Sequence, residues 1–207
     1  MNRILNPEAI EAESFRIIES EMGPHAFTSD EFAIVQRAIH STADFEFARN
    51  IRFAPGAIRS GIEAIRAGAS VVADVQMVQA GINKPGLKKF GGEVLCFIGD
   101  DDVAAQAREA GLTRAIMSMR KAAQRVPGAI YAIGNAPTAL LELIQLADTA
   151  RPALVVGVPV GFVSAVESKD ELAASSLPFI TALGRKGGTP VAVSMMNALI
   201  RLAASEK

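Results

Sequence analysis

The sequence predicts a single α/β domain with a mostly parallel sheet flanked by helices. Three observations predict it. First, the runs "SVVADVQMV", "EVLCFIG", "AIYAIG" and "PALVVGV" are apolar nearly throughout, as strands buried on both faces must be. Second, the helical segments "DDVAAQAREAG", "TRAIMSMRKAAQRV" and "APTALLELIQLA" separate them. Strands alternating with helices imply right-handed crossovers and parallel pairing. Third, 207 residues, half of them hydrophobic, supply one large core.

Taken in order, "PEAIEAESFRIIESEM" is a first helix, with Ile10, Ser14, Ile17 and Ile18 near one face. "TSDEFAIVQRAIH" follows. Its Thr28 stands three residues before Glu31, the spacing of a capping box, and Phe32, Val35 and Ile39 recur at helical intervals. "PGAIRSGIEAIRAG" is a third helix, with Pro55 at its start and Gly68 at its stop. The four strand runs come next. The loop "NKPGLKKFGG", rich in Gly, Lys and Pro, separates the first two and reads as mobile. A last helix, "TPVAVSMMNALIRLAAS", follows the strands. There is no internal repeat, low-complexity tract or interdomain linker, so residues 1–207 read as one domain.

Composition excludes several function classes. Aromatics are few and Trp is absent, which disfavours stacking platforms for single-stranded nucleic acid. A net charge of −1 disfavours a broad basic face for duplex DNA. Cys96 is the sole cysteine, so no intrachain disulfide or Cys-based zinc site can form within one chain. The two histidines, fifteen residues apart, make no recognisable metal-ligand set. No run approaches the roughly 18–20 apolar residues of a membrane span, and "MNRILNPEAIEAESFRIIE" lacks an apolar signal core. The expectation is a soluble cytoplasmic protein with no nucleic-acid or membrane partner.

Ligands of open α/β sheets bind beyond the carboxyl ends of the strands. Those ends lead to Asp74 and Gln76, to Asp100, to Gly134, Asn135 and Thr138, and to Gly157, Pro159 and Gly161. Two of these turns combine Gly with Pro before a helix, whose free amides suit a carboxylate or phosphate. Compact strand-to-helix turns would use the same residues. "GRKGGTP", Gly184 to Pro190, joins Arg185 and Lys186 to three glycines and a helix start. It suits an anion, or a solvated loop, but it is neither a Walker loop nor a dinucleotide fingerprint. Arg114, after Thr113, opens a helix at its positive end, where it gains more from an anionic partner than from the macrodipole. His40 ends an apolar helical run and is followed by Ser41, Thr42 and Asp44. A helix carboxyl end and an Asp44 folded back both favour imidazolium, suited to proton donation. A capping histidine with no chemistry fits the same pattern. His25, in the turn "GPHAF", is given no role.

In order, "HSTADFEFA", "FAPGAIRSGIEAIRAG", "VVADVQMVQAGI", "TRA", "IGNAPTALLEL", "VGVPVGFVSAVESK" and "GRKGGTPVAVSMMNAL" resemble the blocks of the precorrin-8X methylmutase family. The resemblance runs from about Ser14 onward. It implies an isomerase of cobalamin biosynthesis that moves a methyl group on ring C from carbon eleven to carbon twelve. The substrate would be precorrin-8X or cobalt-precorrin-8, and the product hydrogenobyrinate or its cobalt counterpart. It further implies an α/β fold, no redox cofactor or catalytic metal, and a homodimer with sites near the interface. The family's catalytic histidine falls on His40, its first-helix serine on Ser14 and its "TRA" arginine on Arg114. Thr42, Asp44, Asn135, Thr138, Arg185 and Lys186 complete the expected substrate contacts. The competing expectation is a non-catalytic α/β module that binds an acidic ligand such as a nucleotide at the same strand ends.

Overall fold

The computed structural model describes residues 5–205. The first four residues of the amino-terminal stretch quoted above, and the last two of the chain, lie outside them. Among the described residues six strands form one sheet in the order β1-β6-β5-β4-β2-β3. They are β1 (Ile51–Phe53), β2 (Val71–Ala73), β3 (Val94–Leu95), β4 (Ile130–Ile133), β5 (Leu154–Gly157) and β6 (Phe179–Ala182). All neighbours pair in parallel except β1, which runs antiparallel to β6 with Ile51 opposite Ala182. β2, β4, β5 and β6 are buried at every residue, which is why their sequences show no polar alternation.

Side chains of one strand point alternately to two cores. Val71, Ala73, Ile130, Ala132, Leu154 and Val156 face α2 (Ser29–Thr42), α4 (Ala57–Arg66) and α12 (Thr189–Ala204). Val72, Tyr131, Ile133 and Val155 face α8 (Arg114–Arg125), α9 (Pro137–Gln145) and α11 (Ala165–Ala174). The second layer packs closely: a Cβ at Gly157 would lie 2.5 Å from Leu172 Cδ2 of α11. α1 (Pro7–Met22) lies outside α2, and α12 packs along α2, while α3 (Phe47–Asn50) leads into β1, α7 (Asp101–Ala110) packs on α8 and α10 (Ala147–Ala150) leads into β5.

Helix ends follow their local chemistry. Thr28 and Glu31 form the expected capping box at α2. Thr113 Oγ1 accepts the Ile116 amide at the start of α8. Four expectations are corrected. "SVVADVQMV" is a strand only to Ala73, because Gln76 starts a short helix, α5 (Gln76–Gly81). "EVLCFIG" pairs over two residues. Half of "NKPGLKKFGG" is helical, α6 (Lys84–Lys88), since Asn83 caps it by accepting the Gly86 amide at 3.0 Å. Pro55 precedes the cap of α4 rather than opening the helix. β1, β6 and α11 had no separate expectation: "IRF" and "FITA" are too short to show a period, and their pairing joins residues far apart in sequence. Among the described residues no helix is long and apolar enough to cross a membrane.

Candidate active site

His40 lies in the last turn of α2, exposed, at the seam of three helices. Gln36 Nε2 donates to the Phe15 carbonyl at 3.2 Å and so docks α1 on α2. The docking sets the Phe15 ring edge-on to His40, with 5.3 Å between centroids. Ser14, whose hydroxyl donates to the Ile10 carbonyl, then shares a hollow of about 230 Å³ with Ile18, Ile39 and His40. On its other side His40 lines a hollow of about 340 Å³ with Arg37, Ser41, Ser194, Asn197 and Arg201. The imidazole is therefore the wall between two hollows. Among the described residues neither ring nitrogen has a hydrogen-bond partner, which leaves both open to a ligand. The first hollow shares Glu21 and Phe45 with a larger cavity of about 700 Å³, lined also by His25, Phe27, Arg49 and Phe53.

Arg37 carries no motif, yet it belongs here. It stands one turn before His40 on the same helical face, its guanidinium carbon 4.9 Å from the Phe15 centroid. It pairs with Glu11 at 3.2 Å, and that hydrogen bond holds the Glu11 carboxyl below its ordinary range. The three-residue spacing from His40 is the signal that could have found it.

Asp44 does not fold back on His40. Its Oδ2 accepts from Lys186 Nζ at 2.6 Å and its Oδ1 from the Glu46 amide at 2.9 Å. Those two bonds, Lys186 first, hold the carboxyl below its usual value. The cause is Ala43, which takes the left-handed conformation (φ 54°) after α2 and turns the chain toward the β6–α12 loop. Lys186 is accordingly not a free anchor. It also meets Glu46 at 2.7 Å, and its two carboxylate partners raise its pKa. An anionic ligand would have to compete with both. The Ser41 and Thr42 hydroxyls donate to the Ala38 carbonyl at 3.0 and 2.8 Å, and Thr42 Oγ1 takes the Asp44 amide. Both finish the helix end; Ser41 also lines the second hollow beside His40, whereas Thr42 lines neither.

At the carboxyl end of β2, Asp74 is fully buried. Its carboxylate accepts the amides of Gly134, Asn135 and Ala136 at 3.1, 2.7 and 2.8 Å. Burial pushes the carboxyl up, while the three amides favour its ionised form. The amides before α9, expected to hold a ligand anion, are thus already held by the chain's own carboxylate. Thr138 Oγ1 lies 3.4 Å from Thr113 Oγ1, so the starts of α8 and α9 share a rim with Arg114. Arg114 is exposed, with no partner among the described residues. The Arg185 guanidinium carbon lies 5.5 Å from the Phe162 ring centroid, and Phe162 is 83% exposed.

The expected residues therefore do not form one cluster. Ser14 and His40 line the hollows at the helix seam with Arg37, whereas Thr42 closes the end of α2 and Asp44 pairs with Lys186 in the corner that follows it. Arg114, Asn135 and Thr138 gather beyond the end of β4, and neither they nor Arg185 line the two His40 hollows. Among the described residues no three His, Cys, Asp or Glu side chains come together as metal ligands would.

A mostly parallel α/β sheet with polar side chains at its strand ends, and an open histidine on a helix rim, defines an α/β protein with the layout in which small-molecule sites are commonly built. Its family follows from likeness. A family model described as precorrin-8X methylmutase matches residues 9–202. The chain is 56% identical to the cobalt-precorrin-8 methylmutase of Priestia megaterium, across 97% of this chain and 90% of that one. It is 36% identical to the precorrin-8X methylmutase of Pseudomonas aeruginosa, across 95% and 96%. A solved structure of precorrin-8X methyl mutase from Thermus thermophilus superposes with a TM-score of 0.87 at 44% identity, across 95% and 98%. The chain belongs to the precorrin-8X methylmutase family.

Proposed function

We infer that this chain is a cytoplasmic isomerase of cobalamin biosynthesis, which moves the ring-C methyl of precorrin-8X or cobalt-precorrin-8 from carbon 11 to carbon 12. The observation that carries the reading is His40: an imidazole with both nitrogens open, between two hollows, in a chain of this family. A methyl shift within a conjugated ring needs no nucleophile. A proton or hydrogen bond given to a ring nitrogen near ring C redistributes the conjugation and lowers the barrier, and the same proton returns afterwards. Ser14 and Arg37 flank the donor. The nucleotide-module alternative is not favoured, since the family is one of isomerases and both glycine fingerprints are absent. The relatives carry both substrate names, so the test mixes purified protein with each form and follows the visible spectrum. Conversion of at least one form supports the reading, and a spectrum that stays unchanged with both rejects it.

The substrate bears several carboxylate arms, so its pocket needs cations. Among the described residues Arg114 and Arg185 are the cations of the expected set without a carboxylate partner, Arg185 lying over Phe162 and Lys186 being paired. A charged hydrogen bond contributes about 1.5–3 kcal/mol, so Arg114→Ala is expected to weaken binding by about one to two decades. Arg185→Ala is expected to act in the same direction. Binding titrations check both, and unchanged affinity in the two variants contradicts the assignment.

Hollows of about 230 and 340 Å³ are small for a tetrapyrrole-derived ring. A homodimer whose interface borders the site would enlarge them and bring Arg114 and Arg185 within reach. Phe162 and Val163, 83% and 84% exposed, are the apolar surface such an interface would cover. Light scattering at assay concentration is expected to give twice the chain mass. A fully active monomer contradicts it.

A further inference from the structure

The fold buries a lysine that has no ion-pair partner among the described residues. Lys169 of α11 has no exposed surface. Lysines are almost never fully buried unless paired, because an ammonium out of water is costly. Burial pushes its pKa down to about 8, against the opposite influence of neighbouring Asp170. Among the described residues its Nζ has one partner, the backbone carbonyl of Lys186, at 2.8 Å.

That carbonyl belongs to the loop of residues 183–188 between β6 and α12. The loop is pressed onto the backbone that follows β5. The Gly188 amide donates to the Val158 carbonyl at 2.8 Å, and the Gly161 amide to the Arg185 carbonyl at 3.3 Å. A Cβ at Gly187 would come 2.2 Å from the Val158 carbonyl oxygen, so the approach requires glycine. Residue 186 is gripped at both ends. Its carbonyl receives Lys169, and its ammonium reaches Asp44 and Glu46 at 2.6 and 2.7 Å, in the corner that follows His40. Arg185 is thereby set over the Phe162 ring.

We propose that Lys169 is a positioning residue: its buried ammonium locks the 183–188 loop, and through Lys186 the Asp44 corner, in the arrangement that receives the carboxylate-bearing substrate. The proposal rests on the functional reading above. A neutral side chain of similar length would avoid the desolvation, so the charge is kept at a cost to stability, as groups held for function often are.

The test is Lys169→Met in the full chain, with three readouts. The thermal midpoint is expected to stay or rise, since a buried unpaired charge is removed. Amide exchange of Gly188 and Gly161, the two amides that hold the loop against the backbone after β5, read by mass spectrometry without substrate, is expected to quicken about tenfold, the loss of one charged hydrogen bond. KM is expected to rise about tenfold or more, with kcat at saturation within about threefold. Unchanged loop exchange overturns the lock. A lowered midpoint with unchanged KM makes the residue structural and overturns the positioning role, as does a fall in kcat alone. If Lys169→Met does not fold, Lys169→Gln, which keeps a donor without the charge, takes the same readouts. If neither folds, the lysine is structural and the proposal is overturned. A wild type that converts neither substrate form defeats the functional reading, while the exchange readout still decides the lock.

Discussion

His40→Ala is expected to lose turnover by about 10²–10⁴-fold, the usual contribution of a positioned proton donor, while still binding the macrocycle. Binding survives because the cations proposed to hold the substrate, Arg114 and Arg185, do not line the hollows at His40. Truncation also leaves the fold nearly intact, since the exposed ring makes one edge contact with Phe15. His40→Asn separates two roles that Ala cannot. Its amide donates a hydrogen bond but carries no transferable proton. Turnover as low as that of His40→Ala means that a proton moves in the rearrangement. Turnover close to wild type reduces His40 to a hydrogen-bond donor. Steady-state rates of the two variants at saturating substrate, with binding measured separately, check both. A His40→Ala protein that turns over normally makes the residue a helix cap and ends the mechanism.

The second large effect is structural and lies at the end of β2. Asp74→Ala removes the acceptor of three amides in the β4–α9 turn. The Gly134 amide is buried and those of Asn135 and Ala136 are part-buried; an orphaned buried donor costs about 1–3 kcal/mol, so a loss of about 3 kcal/mol is expected for the three together. For a domain of this size that lowers Tm by about 6–12 °C. Asp74→Asn should fall between, because one acceptor oxygen remains and the new amide group faces other donors. The turn carries Asn135 and leads to Thr138, so substrate affinity should fall with stability in both variants. Thermal unfolding checks the first claim, and a shift below about 1 °C in Asp74→Ala would show that water replaces the carboxylate.

The two predictions differ in how far the sequence exposes them. His40 is legible because the helix period of Phe32, Val35 and Ile39 runs straight into the helix end and family block of "AIHSTADFEFA". The alternation of buried strands and helices is legible for the same reason, being written locally in β4, β5, α8 and α12. What is not legible depends on partners distant in the chain. Asp74 stands at a strand end in the sequence, but its three donors lie about sixty residues on. Lys186 looks like an open cation in "GRKGG", yet its carboxylates lie 142 and 140 residues earlier, brought near by the turn at Ala43. Arg37 is different: its three-residue spacing from His40 in α2 is local and could have been read, and only its seat over Phe15 depends on Gln36 docking α1. β1 is three residues long and antiparallel, and no local pattern sets its direction.

The central claim is that the chain moves one methyl group within a ring and changes nothing else. Substrate labelled with carbon-13 at the ring-C methyl, incubated with the purified protein and read by NMR, tests this directly. The expected result is that the labelled methyl leaves carbon 11 and appears on carbon 12, with the product mass unchanged and the rate about 10²–10⁴-fold lower in His40→Ala. A label that stays on carbon 11 while the macrocycle is bound, or a product of different mass, contradicts it.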